Sequence, residues 1–203
     1  MFIAVVGLPG VGKTKVIEKL HELDTGSIIV NEDLKFEESE EFRKYSKDLN
    51  IKAHYYYDLS KLIYLSEKVK KLDYKNHNVY VEGYFVQNVA FYRAAGLDVN
   101  LDYEKYGLLK PDITIMIEIC ERTRTEREKL KNKKEKKALN IVKKTFNNDD
   151  EFINKMEKSL FSLIKRSEKL TFYNEDYIDT NIKILAKEIA RKENLKKNNR
   201  KIN

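Results

Sequence analysis

The chain has 203 residues, 41% hydrophobic and 36% charged, a balance that excludes a disordered chain and indicates one globular domain. No apolar run reaches the roughly 18 residues of a membrane span, and the apolar start, Phe2 to Val6, lacks the basic leader of a signal peptide. The single cysteine, Cys120, excludes an intramolecular disulfide, so we expect a cytoplasmic protein, and the net charge of +7 favours anionic partners.

The first residues predict a strand, a tight turn and a helix. Phe2 to Val6 is a short apolar run without polar alternation, which predicts a buried parallel strand. From Thr14 to Leu23 the apolar residues recur at helical spacing. The turn from Gly7 to Thr14 reads Gly-Leu-Pro-Gly-Val-Gly-Lys-Thr and matches the pattern G-x-x-x-x-G-K-[ST] in full.

The chemistry of this turn predicts a P-loop that binds ATP together with Mg²⁺. Glycines let the backbone point successive N–H groups at an anion, and the following helix adds the positive end of its dipole. Lys13 is placed to reach the β- and γ-phosphates, and the Thr14 hydroxyl is a ligand for Mg²⁺. We expect the nucleotide to be bound by Gly7, Gly10, Val11, Gly12, Lys13 and Thr14.

Strands and helices alternate along the rest of the chain. This alternation predicts an α/β fold of the P-loop NTPase type, with three layers and a mostly parallel five-stranded sheet. We assign residues 1–192 to a single domain and residues 193–203 to a basic C-terminal tail. The further predicted strands are Ser27 to Val30, Val79 to Val81 and Asp112 to Ile119, with a fifth within Phe172 to Ile178. The further helices are Ala53 to Leu72 and Asn181 to Ala190.

Acidic residues end two of the predicted strands. Glu32 and Asp33 follow the second strand, and Glu82 follows the third. Ligands of open parallel sheets bind beyond the carboxyl ends of the strands. Phosphoryl transfer to a hydroxyl needs one carboxylate at the acceptor and one at the metal. We assign Glu32 or Asp33 to the acceptor, and Glu82 together with Thr14 to the metal. The alternative for Glu32 and Asp33 is a structural role as a helix N-cap or in an exposed turn.

A basic segment follows the fourth predicted strand. Between residues 121 and 144 the chain carries eleven basic and four acidic residues. Arg122, Arg124 and Arg127 come first, and an arginine-rich lid over about 121–145 would close over the phosphates and stabilise the charge in transfer. The alternative interpretation is a solvated helix whose arginines pair with neighbouring glutamates.

The order of these motifs resembles the thymidylate kinase and deoxynucleoside kinase branch of the P-loop kinases, over nearly the whole chain. The resemblance implies an ATP-dependent kinase that moves the γ-phosphoryl group to a nucleoside, a nucleotide or a similar small acceptor, and it includes a homodimer as an option. Apart from the P-loop, the segments that carry it are Val79 to Tyr84, Asn88 to Tyr92, Pro111 to Ile119 and Tyr177 to Thr180.

The departures from this pattern concern the acceptor. Gly83 stands where the family usually has an arginine that contacts the acceptor, and Pro9 stands where thymidylate kinases have an aspartate. Arg93 and Lys61 are the candidate replacements for that arginine. Because an acceptor monophosphate without a dedicated arginine would be bound weakly, a nucleoside or another hydroxyl compound stays open as the acceptor beside a monophosphate such as dTMP. The long helix has no arginine; its tyrosines either stack on a base or pack in the interior, and they are Tyr55, Tyr56, Tyr57 and Tyr64.

Two other functions are open on the sequence alone. The basic segment and the tail would also suit a kinase that acts on RNA or DNA, with nucleic acid as the partner. A P-loop NTPase without kinase activity is the third option. Such proteins usually end a strand with an aspartate, for which Glu82 is a loose substitute.

Overall fold

A parallel five-stranded sheet forms the centre of the computed structural model, which describes residues 1–31, 50–134, 150–165, 168–175 and 178–202. In chain order the strands are β1 (Phe2–Val6), β2 (Ile28–Val30), β3 (Val79–Glu82), β4 (Ile113–Glu118) and β5 (Lys169–Tyr173). They are arranged as β2–β3–β1–β4–β5, and every neighbouring pair is parallel. The predicted α/β fold with its parallel sheet is confirmed.

The helices within the described ranges pack in two groups. They are α1 (Lys13–Leu23), α2 (Ile51–Lys70), α3 (Phe85–Ala94), α4 (Glu121–Lys134), α5 (Asp150–Leu163) and α6 (Ile178–Ile202). Helix α1 contacts α6 and the strands β1 to β3, whereas α3 lies between α2 and α5. A sheet between two helix groups buries both of its faces, which explains the continuous apolar sequence of its central strands.

The position of β1 determines where a ligand can bind. All five of its residues are buried, and it lies between β3 and β4. The register places Val5 beside Glu82 and Val6 beside Met116, so the carboxyl ends of the three strands lie at the same edge of the sheet. The chain order reverses direction across β1, and ligands of such sheets bind in the crevice at that point.

The edge strand β5 lies earlier in the chain than the sequence predicted. Its pairing with β4 runs from Lys169 to Tyr173, and Ile178 begins α6 rather than ending a strand. Only Phe172 is buried in this strand, because an edge strand is covered on fewer sides than a central one. Helix α6 continues through residue 193, where the basic tail was predicted to begin. None of the helices in the described parts of the chain is long and apolar enough to cross a bilayer.

The packing of α5 gives a stability test with a matched control. Leu160 is fully buried, whereas Leu195 on α6 is 56% exposed. We expect Leu160→Ala to lower the free energy of unfolding by about 2–5 kcal/mol, since it removes buried methyl groups and leaves a cavity. Leu195→Ala should change it by no more than about 0.5 kcal/mol. Urea denaturation of the two variants measures the difference, and equal losses would contradict the described core.

Candidate functional site

The glycine turn between β1 and α1 passes very close to β4. A Cβ atom added to Gly7 would lie 2.6 Å from the carbonyl oxygen of Ile117, so only glycine fits there. The Gly7 N–H group donates to Oε1 of Gln87 on α3 at 3.1 Å. The first residue of the loop is therefore held from β4 on one side and from α3 on the other.

The end of the turn is equally crowded. Gly12 caps α1 in the left-handed conformation, with φ of 89°. An added Cβ atom there would collide with Nδ2 of Asn174 and would lie 3.4 Å from Nη1 of Arg127. The first helical hydrogen bond runs from the Val16 N–H group to the Gly12 carbonyl, so the preceding N–H groups lie at the positive end of the helix dipole.

Lys13 lies within the loop rather than in solvent. Its side chain is 9% exposed, and its Nζ donates to the carbonyl oxygens of Gly7 at 3.1 Å and Leu8 at 3.2 Å. The ammonium group is thus held against the backbone of the turn. A phosphate bound in this loop would meet a fixed positive charge together with backbone donors.

Glu82 and Thr14 meet across the edge of the sheet. The Thr14 hydroxyl donates to Oε2 of Glu82 at 2.6 Å, which joins the start of α1 to the end of β3. A hydroxyl and a carboxylate are oxygen ligands of the kind that Mg²⁺ takes, with substrate phosphates and water completing the shell. Among the described residues no three His, Cys, Asp or Glu side chains cluster as a metal site, so phosphate oxygens would have to contribute.

The lid arginines occupy three different environments on α4. Arg122 is exposed and pairs with Glu126 at 3.2 Å, as the solvated-helix interpretation predicted for that residue. Arg124 is buried, with 5% exposed, and Arg127 reaches the P-loop at Gly12. Glu32 and Asp33, together with residues 135–149 of the predicted lid, lie outside the described residues.

Two residues at the site were not expected from the sequence. Gln87 lies one turn after Gly83, and its amide oxygen accepts from Gly7. Asn174 follows β5, and its Nδ2 donates to the Val11 carbonyl at 2.6 Å. The signal for Asn174 would have been a polar residue just beyond a strand end, but the sequence placed the fifth strand only within Phe172 to Ile178, without locating its end.

The backbone between Glu82 and α3 is strained. Tyr84 has φ of 109°, in a region that side-chain-bearing residues rarely adopt, and such strain is most often found where a site is positioned. The ring is buried, and the hydroxyl donates to the Leu109 carbonyl at 2.9 Å. Burial raises the pKa of Tyr84 to about 12, so the hydroxyl stays protonated as a donor.

A buried polar cluster, His54, Asp58, Lys61 and Tyr92, lies between α2 and α3. The Tyr92 hydroxyl donates to Oδ2 of Asp58 at 2.8 Å, and Nζ of Lys61 lies 3.2 Å from Oδ1. Burial and the neighbouring carboxylate raise the pKa of Tyr92, which keeps its proton on the hydroxyl. His54 is 1% exposed, and neither ring nitrogen has a hydrogen-bond partner among the described residues.

The aromatic residues of α2 divide between its two faces. Tyr56 and Tyr64 are half exposed, so they do not face the interior. Tyr55 is buried and packs edge-on against Tyr92, with ring centroids 5.2 Å apart. Tyr57 is partly buried, with the Lys61 ammonium 5.4 Å from its ring centroid. Of the four tyrosines, Tyr57 alone is neither packed in the core nor on the exposed face.

Comparison with solved structures identifies the fold. Deoxyadenosine kinase from M. mycoides with bound dATP has a TM-score of 0.63 and 19% identity, covering 94% of this chain and 100% of that one. Thymidylate kinase from Candida albicans has a TM-score of 0.68 and 13% identity, covering 95% and 92%. Neither a protein-family profile nor a curated protein sequence matches the chain. The chain has the P-loop kinase fold that these two proteins share.

The crowding at Gly12 predicts a selective loss of nucleotide binding. Gly12 and Gly96 have nearly the same φ, 89° and 90°, but an added Cβ atom at Gly96 would meet nothing within 4 Å. Both Gly→Ala changes should cost roughly 1–2 kcal/mol in unfolding free energy from backbone strain. Only Gly12→Ala should also abolish binding of Mg·ATP in calorimetric titration. Equal binding by the two variants would show that the turn is not the nucleotide site.

Proposed function

We propose that the protein is an ATP-dependent phosphotransferase that moves the γ-phosphoryl group to a nucleoside, a nucleotide or a similar small acceptor. The observation that carries the proposal is the contact of Thr14 with Glu82 at 2.6 Å, at the mouth of a loop that holds Lys13. A phosphate nest and a pair of magnesium ligands at one sheet edge are the two parts that phosphoryl transfer requires. The fold shared with a deoxyadenosine kinase and a thymidylate kinase supports the same reaction.

The donor half of the site would position and neutralise the triphosphate. Backbone N–H groups at the start of α1 and the Lys13 ammonium would bind the β- and γ-phosphate oxygens. Thr14 and Glu82 are the residues that would hold Mg²⁺ directly or through its waters, and a bound ion would supply neutralisation of the phosphate charge. Arg127, already beside Gly12, and the buried Arg124 are the lid cations nearest to this role, with Arg122 third.

The transfer itself would exchange one P–O bond for another. The acceptor hydroxyl oxygen forms a bond to the γ-phosphorus, the bond from that phosphorus to the β–γ bridging oxygen breaks, and ADP leaves. The hydroxyl proton passes to a carboxylate, for which Glu32 or Asp33 is proposed because they directly follow β2 in the sequence. Enclosure by the lid would exclude water as a competing acceptor.

On the acceptor side, the structure favours an uncharged nucleoside over a monophosphate. The two cations that the sequence offered as replacements for that arginine, Arg93 and Lys61, both make contacts within the protein. Arg93 donates to the Val99 carbonyl at 2.7 Å and to Asn100, and Lys61 pairs with Asp58. A phosphate on the acceptor would need a cation for bidentate binding, and neither side chain could supply one without giving up these contacts.

No observation on the described residues favours a nucleic-acid acceptor or an NTPase without kinase activity. A homodimer and a cytoplasmic location stay predictions from the sequence.

An acceptor panel tests the proposed function. We expect Mg·ATP turnover, measured as ADP release, with nucleosides, less with nucleoside monophosphates, and none with short oligonucleotides. Lys13→Ala should lower the turnover number by about 10²–10³, because it removes the cation beside the transferred group. Lys68→Ala, a lysine on α2 outside the loop, serves as the control. Unchanged turnover in Lys13→Ala would remove the catalytic assignment, and absence of turnover with every acceptor would refute the kinase.

Glu82 gives a separate test of the metal assignment. Glu82→Gln keeps the shape of the side chain but removes its charge. We therefore expect turnover to fall by about 10–100-fold and the Mg²⁺ concentration needed for half-maximal turnover to rise. The Michaelis constant for the acceptor should stay close to that of the parent. If only that constant changes, Glu82 contacts the acceptor rather than the metal, and the proposed roles of Glu82 and of Glu32 or Asp33 are exchanged.

A further inference from the structure

The buried amide of Asn174 contacts the P-loop from outside the motif. Asn174 is 2% exposed and directly follows β5. Its backbone N–H group donates to the Glu118 carbonyl at 2.8 Å, which fixes the residue to the end of β4. Its Nδ2 donates to the Val11 carbonyl at 2.6 Å. A carbonyl can only accept, so this contact also determines which end of the amide faces the loop.

The contact controls the direction of a peptide dipole. In a planar trans peptide the carbonyl and the N–H group point in opposite directions. When Asn174 holds the Val11 carbonyl, it therefore also aims the Gly12 N–H group away from the amide. A P-loop binds phosphate through its N–H groups, and a carbonyl turned into the nest would repel the anion.

We infer that Asn174 is a positioning residue for the P-loop: it holds the Val11–Gly12 peptide so that the loop presents a donor to the triphosphate. This inference rests on the proposed nucleotide site. The amide is retained although its Oδ1 is buried without a hydrogen-bond partner among the described residues. Burying an unpaired acceptor is unfavourable, so the amide must contribute through its other end. That end is the Nδ2 group, which donates to the Val11 carbonyl.

The neighbouring residue makes a parallel contact to the lid helix. Oε1 of Glu175 accepts from the Cys120 N–H group at 2.7 Å, just before α4 begins. Adjacent side chains after β5 therefore hold the P-loop and the start of the arginine-bearing helix. Arg127 on that helix reaches Gly12, so the two contacts act on the same corner of the site.

The test compares two variants with two ligands. Asn174→Asp keeps the size of the side chain but replaces the donor with an acceptor, whereas Asn174→Ala removes both. Mg·ATP and inorganic tripolyphosphate are titrated by calorimetry, since the second has no base or sugar. We expect both variants to lose roughly 10- to 100-fold in affinity for both ligands, with Asn174→Asp at least as weak as Asn174→Ala. The Michaelis constant for the acceptor should not change.

The relative affinities of the two variants distinguish a positioning role of Asn174 from a packing role. If Asn174 only fills space, the isosteric Asn174→Asp would bind like the parent, and the proposal would be overturned. If ATP weakens while tripolyphosphate does not, Asn174 recognises the nucleoside and not the loop. Asn76→Asp, in a turn before β3, controls for the added charge. Where Asn174→Ala does not fold, Asn174→Ser replaces it in the comparison.

A pH series gives a second readout. At low pH the introduced carboxyl group is protonated and has an O–H group to donate to the Val11 carbonyl. The affinity of Asn174→Asp relative to the parent should therefore rise as the pH falls, and that of Asn174→Ala should not. A flat ratio for both variants would contradict the donor role. If the parent protein binds neither Mg·ATP nor tripolyphosphate, the proposed function fails first, which is a different result from any of these.

Discussion

The backbone of the glycine turn has no room for side chains at either end, and the rest of the site depends on this close fit. At Gly7 the limit is the Ile117 carbonyl of β4, and at Gly12 it is the amide of Asn174 after β5. Such approach is available only because β1 lies between its neighbours in a parallel sheet, with the strand ends at one edge. The shape of the tight turn therefore depends on the sheet, because residues in and after the neighbouring strands limit the space around the loop.

The charges at this edge are arranged in pairs that a bound phosphate would rearrange. The Lys13 ammonium lies against loop carbonyls, and Glu82 accepts from the Thr14 hydroxyl. Lys13 donates to carbonyl oxygens of the loop, and Glu82 accepts a charge-assisted hydrogen bond. A triphosphate with its metal would supply an anion for the first group and a cation for the second. These contacts hold the two groups at the edge of the sheet where the proposed ligand would bind.

Much of the fold could be predicted from the sequence, because the apolar runs of the central strands and the P-loop pattern are local signals. The confirmed parts are the parallel sheet and the P-loop between β1 and α1. The strand end at Tyr173 could not be read locally, since β5 is an edge strand and only Phe172 is buried. Gln87 and Asn174 were missed for a related reason: each contacts the loop across more than seventy residues of sequence, and tertiary pairing alone brings them there.

A single short helix connects the P-loop to the buried α2–α3 cluster. Gln87 in the first turn of α3 holds Gly7, and Tyr92 near its end holds Asp58 of α2. The two residues are five positions apart, about 7.5 Å along the axis at 1.5 Å per residue, and the hydrogen bonds of the helix keep that separation fixed. The strained residue Tyr84 lies between Glu82 and the first residue of this helix. The spacing between the P-loop and the buried α2–α3 cluster therefore depends on a helix rather than on a loop.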